Sequence, residues 1–248
     1  MKKLLVIFVI MALLTGCASS QGALAPATEP AAQATTEPVV ETTEEIIYEV
    51  EASTHYMETV YPQQIRRYYT AVSQQWDEVT CMDNEISALV ARYYEGNPLD
   101  NIGFAFMDLD EDGIWELVIG AAQDPLVLEI WALKDGQPVM LAQSGNHNRY
   151  YLQYDKPEDR WLVAYEAENG AANYAVYSLQ LVNGQFQVVQ GMVFDAVANE
   201  ANPWFRTADL DWDVSNDTVT DEATANAIAR EIRSIYAYTE YFPYSLYK

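Results

Sequence analysis

The hydrophobic pattern changes from a helical period to a strand period near residue 102. Before that point, apolar residues recur three or four positions apart, in one helix that Pro62 can begin and a shorter one that Asp83 can cap. The two apolar stripes comprise Ile65, Tyr68, Val72, Trp76 and Val79, and then Ile86, Leu89, Val90 and Tyr93. Gly96 and Pro98 are expected to end the second helix.

From residue 102 onward, short runs rich in Val, Ile, Tyr and Trp alternate with turn signals, which is typical of antiparallel strands. Asp135-Gly136 and Asn183-Gly184 each separate two such runs and favour two-residue hairpin turns. The runs RYYLQYD and RWLVAYEAE predict a further antiparallel pair, and a closing helix is expected after Asp221. The pattern therefore predicts an α+β fold, with an antiparallel β-sheet between N-terminal helices and a C-terminal helix.

The N-terminus has the order of features found in a secretory signal peptide. Lys2 and Lys3 precede an uncharged apolar run, Leu4 to Leu14, which is shorter than the roughly 20 residues that a membrane span needs. The sequence Leu14-Thr15-Gly16-Cys17 resembles the bacterial lipobox. The resemblance implies that residues 1–16 are a cleaved signal peptide and that Cys17 carries a diacylglycerol. The alternative is an ordinary signal peptide or a membrane anchor that merely contains a cysteine.

The resemblance also implies a place in the cell. A lipid on Cys17 would hold the protein on the bacterial cell membrane, on its extracytoplasmic side. Residues 17–50, rich in Ala, Thr, Glu and Pro, are predicted to form a disordered tether, because they bury too little apolar surface to offset the entropy of ordering. Residues 51–248 have the length of one globular domain.

Composition excludes some partners. Without Lys2 and Lys3, 11 basic residues face 37 acidic ones, which gives a net charge of −26 for the mature chain. A nucleic-acid partner is excluded, because phosphate binding needs clustered Lys and Arg. Cys81 is the only other cysteine, so the mature chain can form no internal disulfide, and we expect a packed thiol rather than a nucleophile.

The candidate chemistry is concentrated in the stretch FAFMDLDEDGIWELVIG, residues 104–120. Two predicted strands flank acids at alternate positions, so that several oxygens can converge on one point. The candidate ligands are the side chains of Asp108, Asp110, Asp112 and Glu116 and the carbonyl of Ile114. Gly113 permits the turn in the backbone. Hard oxygen ligands in a flexible set favour Ca²⁺, with Mg²⁺ as the second choice because it needs a tighter octahedron. The alternative is a solvated acidic turn.

The calcium loop, residues 108–116, resembles the first nine positions of an EF-hand, D-x-D-x-D-G-x-x-E. It departs from the EF-hand at the twelfth position, where Ile119 replaces the bidentate glutamate, and in lacking the flanking helices. It is more similar to the strand-loop-strand calcium sites of FG-GAP and integrin-type repeats. It also resembles a segment of many uncharacterised lipoproteins of Gram-positive bacteria. These resemblances imply structural ion binding rather than a calcium sensor.

A second acidic run, DLDWDVSND, repeats the spacing at Asp209, Asp211, Asp213 and Asp217. Val214 stands at the position of the glycine, and a β-branched residue resists positive φ. We therefore expect a solvated loop before the last helix, with a second ion site as the alternative.

No catalytic residue can be assigned from the sequence. The tetrapeptide Ser144–His147 spells SGNH, but the hydrolase family of that name draws those residues from separate blocks. The only histidines, His55 and His147, are too few for a dedicated zinc site. Glu166 and Glu168 would share one strand face and are expected to be exposed strand-end acids. The many tyrosines are expected to pack in the sheet rather than bind sugars.

The sequence therefore predicts a membrane-anchored extracytoplasmic lipoprotein with one structural calcium loop, acting as a non-catalytic binding or structural module. Its ligand would be a glycan or a protein that the sequence does not identify. The alternative is a cell-envelope or glycan-directed hydrolase whose catalytic acids are not identified.

Overall fold

The computed structural model describes residues 51–247. The proposed signal peptide 1–16, the lipidation site Cys17 and the tether 17–50 lie outside the described residues. Within them, the predicted α+β fold is confirmed, because helices precede and follow an antiparallel sheet. None of the helices in this part of the chain is long and apolar enough to cross a membrane.

The N-terminal region consists of short helices joined by tight breaks. Residues 51–55 are helical, and a π-helical turn, Tyr56–Val60, follows. The next elements are helices α1 (Pro62–Ser73) and α2 (Glu78–Asp83), the 3₁₀ helix Ala88–Tyr93 and helix α3 (Pro98–Asn101).

The predicted helix boundaries in this region are partly wrong. The first stripe was expected to reach Val79, but α1 ends at Ser73 and Gln75 adopts a positive φ of 50°. Asp83 ends α2 instead of capping the next helix. The N-terminal cap of α2 itself is Asp77, whose side chain accepts a hydrogen bond from the Thr80 amide. A residue with positive φ follows both α1 and α2 and ends the helix there. The apolar spacing alone would fit a longer helix.

The sheet contains eleven strands. They are β1 (Ile102–Met107), β2 (Glu116–Ala121), β3 (Leu126–Lys134), β4 (Gln137–Gln143), β5 (Asn148–Asp155), β6 (Arg160–Glu168), β7 (Asn173–Val182), β8 (Gln185–Asp195), β9 (Trp204–Thr207), β10 (Thr218–Val219) and β11 (Phe242–Pro243). Their order is β10-β9-β8-β7-β6-β5-β3-β2-β1-β11, with β4 paired beside β3, and all pairs are antiparallel.

The hairpin predictions are confirmed. The turn Asp135-Gly136 joins β3 to β4, and Asn183-Gly184 joins β7 to β8. All four turn residues have positive φ, between 50° and 74°, as a type I′ turn requires. The closing helix α4 (Glu222–Ser234) also forms as predicted, with Asp221 accepting a hydrogen bond from the Thr224 amide.

Helices α1 and α4 pack on the same face of the sheet. Leu126, Tyr151 and Ala164 are register partners across β3, β5 and β6, so their side chains share a face. Leu126 belongs to the cluster with α1, and Ala164 to the cluster with α4.

The opposite face curves over itself. Ala105 of β1 and Val118 of β2 share a buried cluster with Leu181 near the end of β7, although four strands separate β1 from β7. This curvature places the β1–β2 loop beside the β7–β8 turn.

Candidate metal centre

The candidate calcium loop lies where β1 and β2 stop pairing. Met107 and Glu116 are the last register partners, so residues 108–115 form the connection between the two strands. Asp108 folds this connection back, because its Oδ1 accepts from the Asp112 amide and its Oδ2 from the Gly113 amide, both at 3.1 Å. Glu111 and Gly113 adopt positive φ values of 61° and 86°. No atom lies within 4 Å of a Cβ built on Gly113, so conformation rather than space requires the glycine.

Three of the predicted ligands converge. Asp108, Asp110 and Glu116 each offer an oxygen within 4.8 Å of the other two. Glu116 is 3% exposed, and its Oε2 accepts a hydrogen bond of 2.8 Å from the Leu109 amide. The Oδ1 atom of Asp110 is buried and has no hydrogen-bond partner among the described residues. A buried acceptor that lacks a donor needs another partner to offset its lost hydration.

The electrostatics of the cluster favour a cation. Burial is the largest cause that raises the pKa of Glu116, and the charges of Asp110, Asp112 and Asp108 add to it; against the lowering hydrogen bond from Leu109 the result is about 8. Burial is also the largest cause that raises the pKa values of Asp108 and Asp110, with Asp112 adding to both. A divalent ion would reverse these effects, because it stabilises the ionised carboxylates.

The other two predicted ligands lie further out. Asp112 and Ile114 are exposed, and neither belongs to the group of three carboxylates. Oδ1 of Asp112 accepts a 2.7 Å hydrogen bond from the Ile114 amide, which closes a small turn at the tip of the loop. Asp112 is nevertheless close enough that its charge raises the pKa of Glu116.

Two tyrosines from the N-terminal region hold the exit of the loop. The Tyr56 hydroxyl accepts from the Trp115 amide, and the Tyr61 hydroxyl donates to the Trp115 carbonyl, both at 3.0 Å. The Tyr56 and Trp115 rings stack, with centroids 5.4 Å apart. The loop therefore ties the helices before the sheet to its first hairpin.

The entrance of the loop contacts the β7–β8 hairpin. Leu109 is buried in one cluster with Leu181 of β7, and Phe186 of β8 packs against that cluster. The Gly184 amide, in the turn of that hairpin, donates a 3.4 Å hydrogen bond to Asp110 Oδ2. One candidate ligand thus links two hairpins that are 74 positions apart in sequence.

The second acidic run forms the connection between β9 and β10. Asp209, Asp211 and Asp213 are exposed, and Asp217 is half-buried. The four carboxylates form no group as tight as that of Asp108, Asp110 and Glu116. The run lies in a loop before the last helix, as expected, and three of its four acids are exposed.

The remaining candidates give no catalytic arrangement. His147, Glu166 and Glu168 line a cavity of about 130 Å³, and a second hollow of about 410 Å³ shares His147 and Glu168. Burial raises the pKa of Glu166, but hydrogen bonds from Arg233 and Tyr236 lower it overall. A glycosidase acid needs the opposite shift. Cys81 is buried, and burial raises the pKa of its thiol, as expected for a packed cysteine.

One buried acid was missed from the sequence. Glu129 is 0% exposed and accepts hydrogen bonds from Trp131 Nε1 at 2.7 Å and Gln143 Nε2 at 2.9 Å, with Arg67 NH2 at 3.7 Å. The available signal was a lone glutamate in the apolar run LVLEIWAL. Both carboxylate oxygens of Glu129 are therefore enclosed and hydrogen-bonded.

No known protein-family model, no curated protein and no solved structure matches this chain.

Proposed function

We propose that this protein is a membrane-anchored, extracytoplasmic lipoprotein whose folded part is a calcium-stabilised binding or structural module. The observation that supports the ion is the convergence of Asp108, Asp110 and Glu116, with a buried, unpaired oxygen on Asp110. The support for the anchor is the sequence of residues 1–17, which lies outside the described structure.

Ca²⁺ is preferred over Mg²⁺ for this loop. The donors are three carboxylates of unequal burial, with Asp112 and the backbone of the exposed tip nearby. Ca²⁺ accepts six to eight oxygens in a flexible arrangement, whereas Mg²⁺ demands a near-ideal octahedron and keeps several waters.

The role of the ion is structural. Loop residues contact the N-terminal tyrosines at one end and the β7–β8 turn at the other, so an ion in the loop fixes three parts of the fold together. Extracellular calcium modules bind with Kd values of about 10⁻⁴ to 10⁻³ M. At ten times Kd, binding contributes about 1.4 kcal/mol to the free energy of unfolding.

Thermal unfolding of the purified full-length chain tests the ion. We expect Ca²⁺ at ten times Kd to raise the melting temperature by about 3 to 6 °C over the value in EDTA, and Mg²⁺ to raise it less. Glu116→Gln should abolish the calcium effect. In EDTA at pH 8 it should be at least as stable as the wild type, because it removes a buried charge.

The matched control is Glu158→Gln, which changes an exposed acid in the β5–β6 turn. This variant should keep the full response to Ca²⁺. Equal melting temperatures of the wild type in Ca²⁺ and in EDTA would contradict the proposed ion, and so would an undiminished calcium effect in Glu116→Gln.

A further inference from the structure

The face of the sheet opposite α1 and α4 carries a row of tyrosines that leads to the second acidic run. Tyr150, Tyr165 and Tyr177 are register partners across β5, β6 and β7. Their rings are stacked, with centroid distances of 4.6 Å between the first two and 5.9 Å between the last two. Gly191 of β8 and Thr207 of β9 continue the row.

The glycine in this row lets the last tyrosine extend towards the acidic loop. A Cβ on Gly191 would meet Tyr177 Cδ1 at 2.7 Å and Thr207 Cγ2 at 2.9 Å, so the Tyr177 ring lies over the glycine and reaches Thr207. The acidic run begins two residues later, at Asp209. Thr207 contacts it directly, because its hydroxyl donates to the Asp209 carbonyl at 3.3 Å.

Two oxygens at the base of this loop lack partners. Tyr177 is 1% exposed, and its hydroxyl forms no hydrogen bond with any residue in the described range. The same is true of the Oδ2 atom of Asp217, which is also buried. Buried oxygens without a hydrogen-bond partner are unfavourable and rare, so two of them beside one loop point to an absent partner.

The charges around these oxygens show which kind of partner is needed. Asp209, Asp211, Asp213 and Asp217 are the only charged residues between positions 209 and 217, so the loop carries four negative charges within nine residues. The partner that satisfies oxygens in such a field is a cation.

The valine in the run does not oppose a site of this kind. Val214 begins a 3₁₀ helix, Val214–Asn216, and no residue from 205 to 220 adopts positive φ. Val214 instead packs against the cluster that contains Tyr177 and Phe205. After Asp213 the chain continues as a 3₁₀ turn, which requires no residue with positive φ. The loop therefore does not need the glycine that the first loop uses.

We propose that residues 209–217 form a second divalent-cation site, with Asp209, Asp211 and Asp217 as the charged ligands and the Tyr177 hydroxyl as the neutral oxygen at its base. The carboxylates stand further apart than those of the first loop, so binding draws the loop inward over Tyr177. Trp212 lies within this loop, is 39% exposed and lines the 410 Å³ hollow, so its surroundings change when the ion binds.

The test is the number of Ca²⁺ ions bound by the purified full-length chain, measured by equilibrium dialysis with radioactive calcium at saturation. The wild type should bind two ions. Asp217→Asn and Glu116→Gln should each bind one. The control Glu200→Gln, a change of an exposed acid outside both loops, should bind two. If Asp217→Asn binds one ion fewer than the wild type and Glu116→Gln does not, the second site is supported and the first is overturned.

Two further variants separate ligand binding from a folding defect. Tyr177→Phe removes only the hydroxyl and should weaken the second ion about tenfold or more without affecting the first. Calcium should change Trp212 fluorescence in Glu116→Gln, and this change should be absent from Glu116→Gln combined with Trp212→Phe. The second site is overturned if the wild type binds one ion and Asp217→Asn binds the same number. It is also overturned if Tyr177→Phe binds calcium with unchanged affinity.

Discussion

At the scale of single residues, Glu116 carries a large electrostatic cost in the metal-free protein. It is the first residue of β2, almost fully buried, and faces Asp108, Asp110 and Asp112 and the Tyr61 hydroxyl. Its pKa of about 8 means that the folded protein without metal holds a proton that the unfolded chain, with a pKa near 4.5, has already released. This difference in bound protons makes the stability depend on pH.

The metal-free protein should lose stability as the pH rises. Between about pH 4.5 and pH 8 the folded state binds more protons than the unfolded state, so the free energy of unfolding falls across this window and levels off above it. The fall is at most about 5 kcal/mol, at about 1.4 kcal/mol per pKa unit. Urea unfolding in EDTA at pH 5, 7 and 9 measures it.

Glu116→Gln should remove most of that slope, because the variant has no proton to release at this position. Saturating Ca²⁺ should flatten the wild-type slope, since the ion stabilises the ionised form. A slope that is equal in the wild type and the variant would contradict the assignment to Glu116.

Residue types and spacing predicted that the acids between positions 108 and 116 would lie together in one loop but not their unequal positions in the candidate metal centre. Asp108, Asp110 and Glu116 converge, whereas Asp112 and Ile114 lie at the exposed tip. The sequence could not show this, because the difference depends on how far β1 and β2 continue to pair. Nor could it show the unpaired hydroxyl of Tyr177, which depends on a glycine in the neighbouring strand.

At the scale of elements, the first acidic loop joins parts that are distant in sequence. It receives hydrogen bonds from Tyr61 before the sheet and from Gly184 in the β7–β8 turn. When the loop is ordered, the segment around Tyr61 and the β7–β8 turn should therefore open less often. Local opening of such segments is what amide exchange detects.

Calcium should slow hydrogen exchange at the amides of Trp115 and Gly184, because both donate hydrogen bonds in or beside the loop. The turn Asp135-Gly136 is a matched control, since it has the same type of backbone but no hydrogen bond to the loop. Its exchange should not change. Equal slowing of both turns would indicate a global effect instead.

The elements that were predicted correctly are those specified by residues close together in the sequence. Hairpins with Asn-Gly or Asp-Gly turns and the capped helix α4 formed as expected. The strand β11 was missed, because its two residues pair with Gly103 and Phe104, 138 or more positions away in sequence. The break at Gln75 was missed because only the packed structure imposes its positive φ.

At the scale of the whole molecule, the lipid anchor is the proposal that places the folded part in the cell. The strongly acidic chain would be repelled by an anionic membrane, so attachment depends on the lipid.

Cys17→Ala should abolish lipid labelling and release the protein from the membrane fraction when the full-length chain is expressed in a bacterium. The measurement is incorporation of radioactive palmitate together with the distribution between membrane and soluble fractions. Cys81→Ala is the matched control, because that thiol is buried in the folded part and should not be labelled. Label that persists in Cys17→Ala would exclude the lipobox assignment.

The free edges of the sheet have a consequence for a protein crowded on a surface. The outermost strands, β10 and β11, have only two residues each, and the second of them ends in Pro243. The side strand β4 contains Pro138, which has no N–H to offer another strand. Short edges and prolines discourage strand addition between neighbouring molecules. Many copies could therefore stand side by side without polymerising through their backbones.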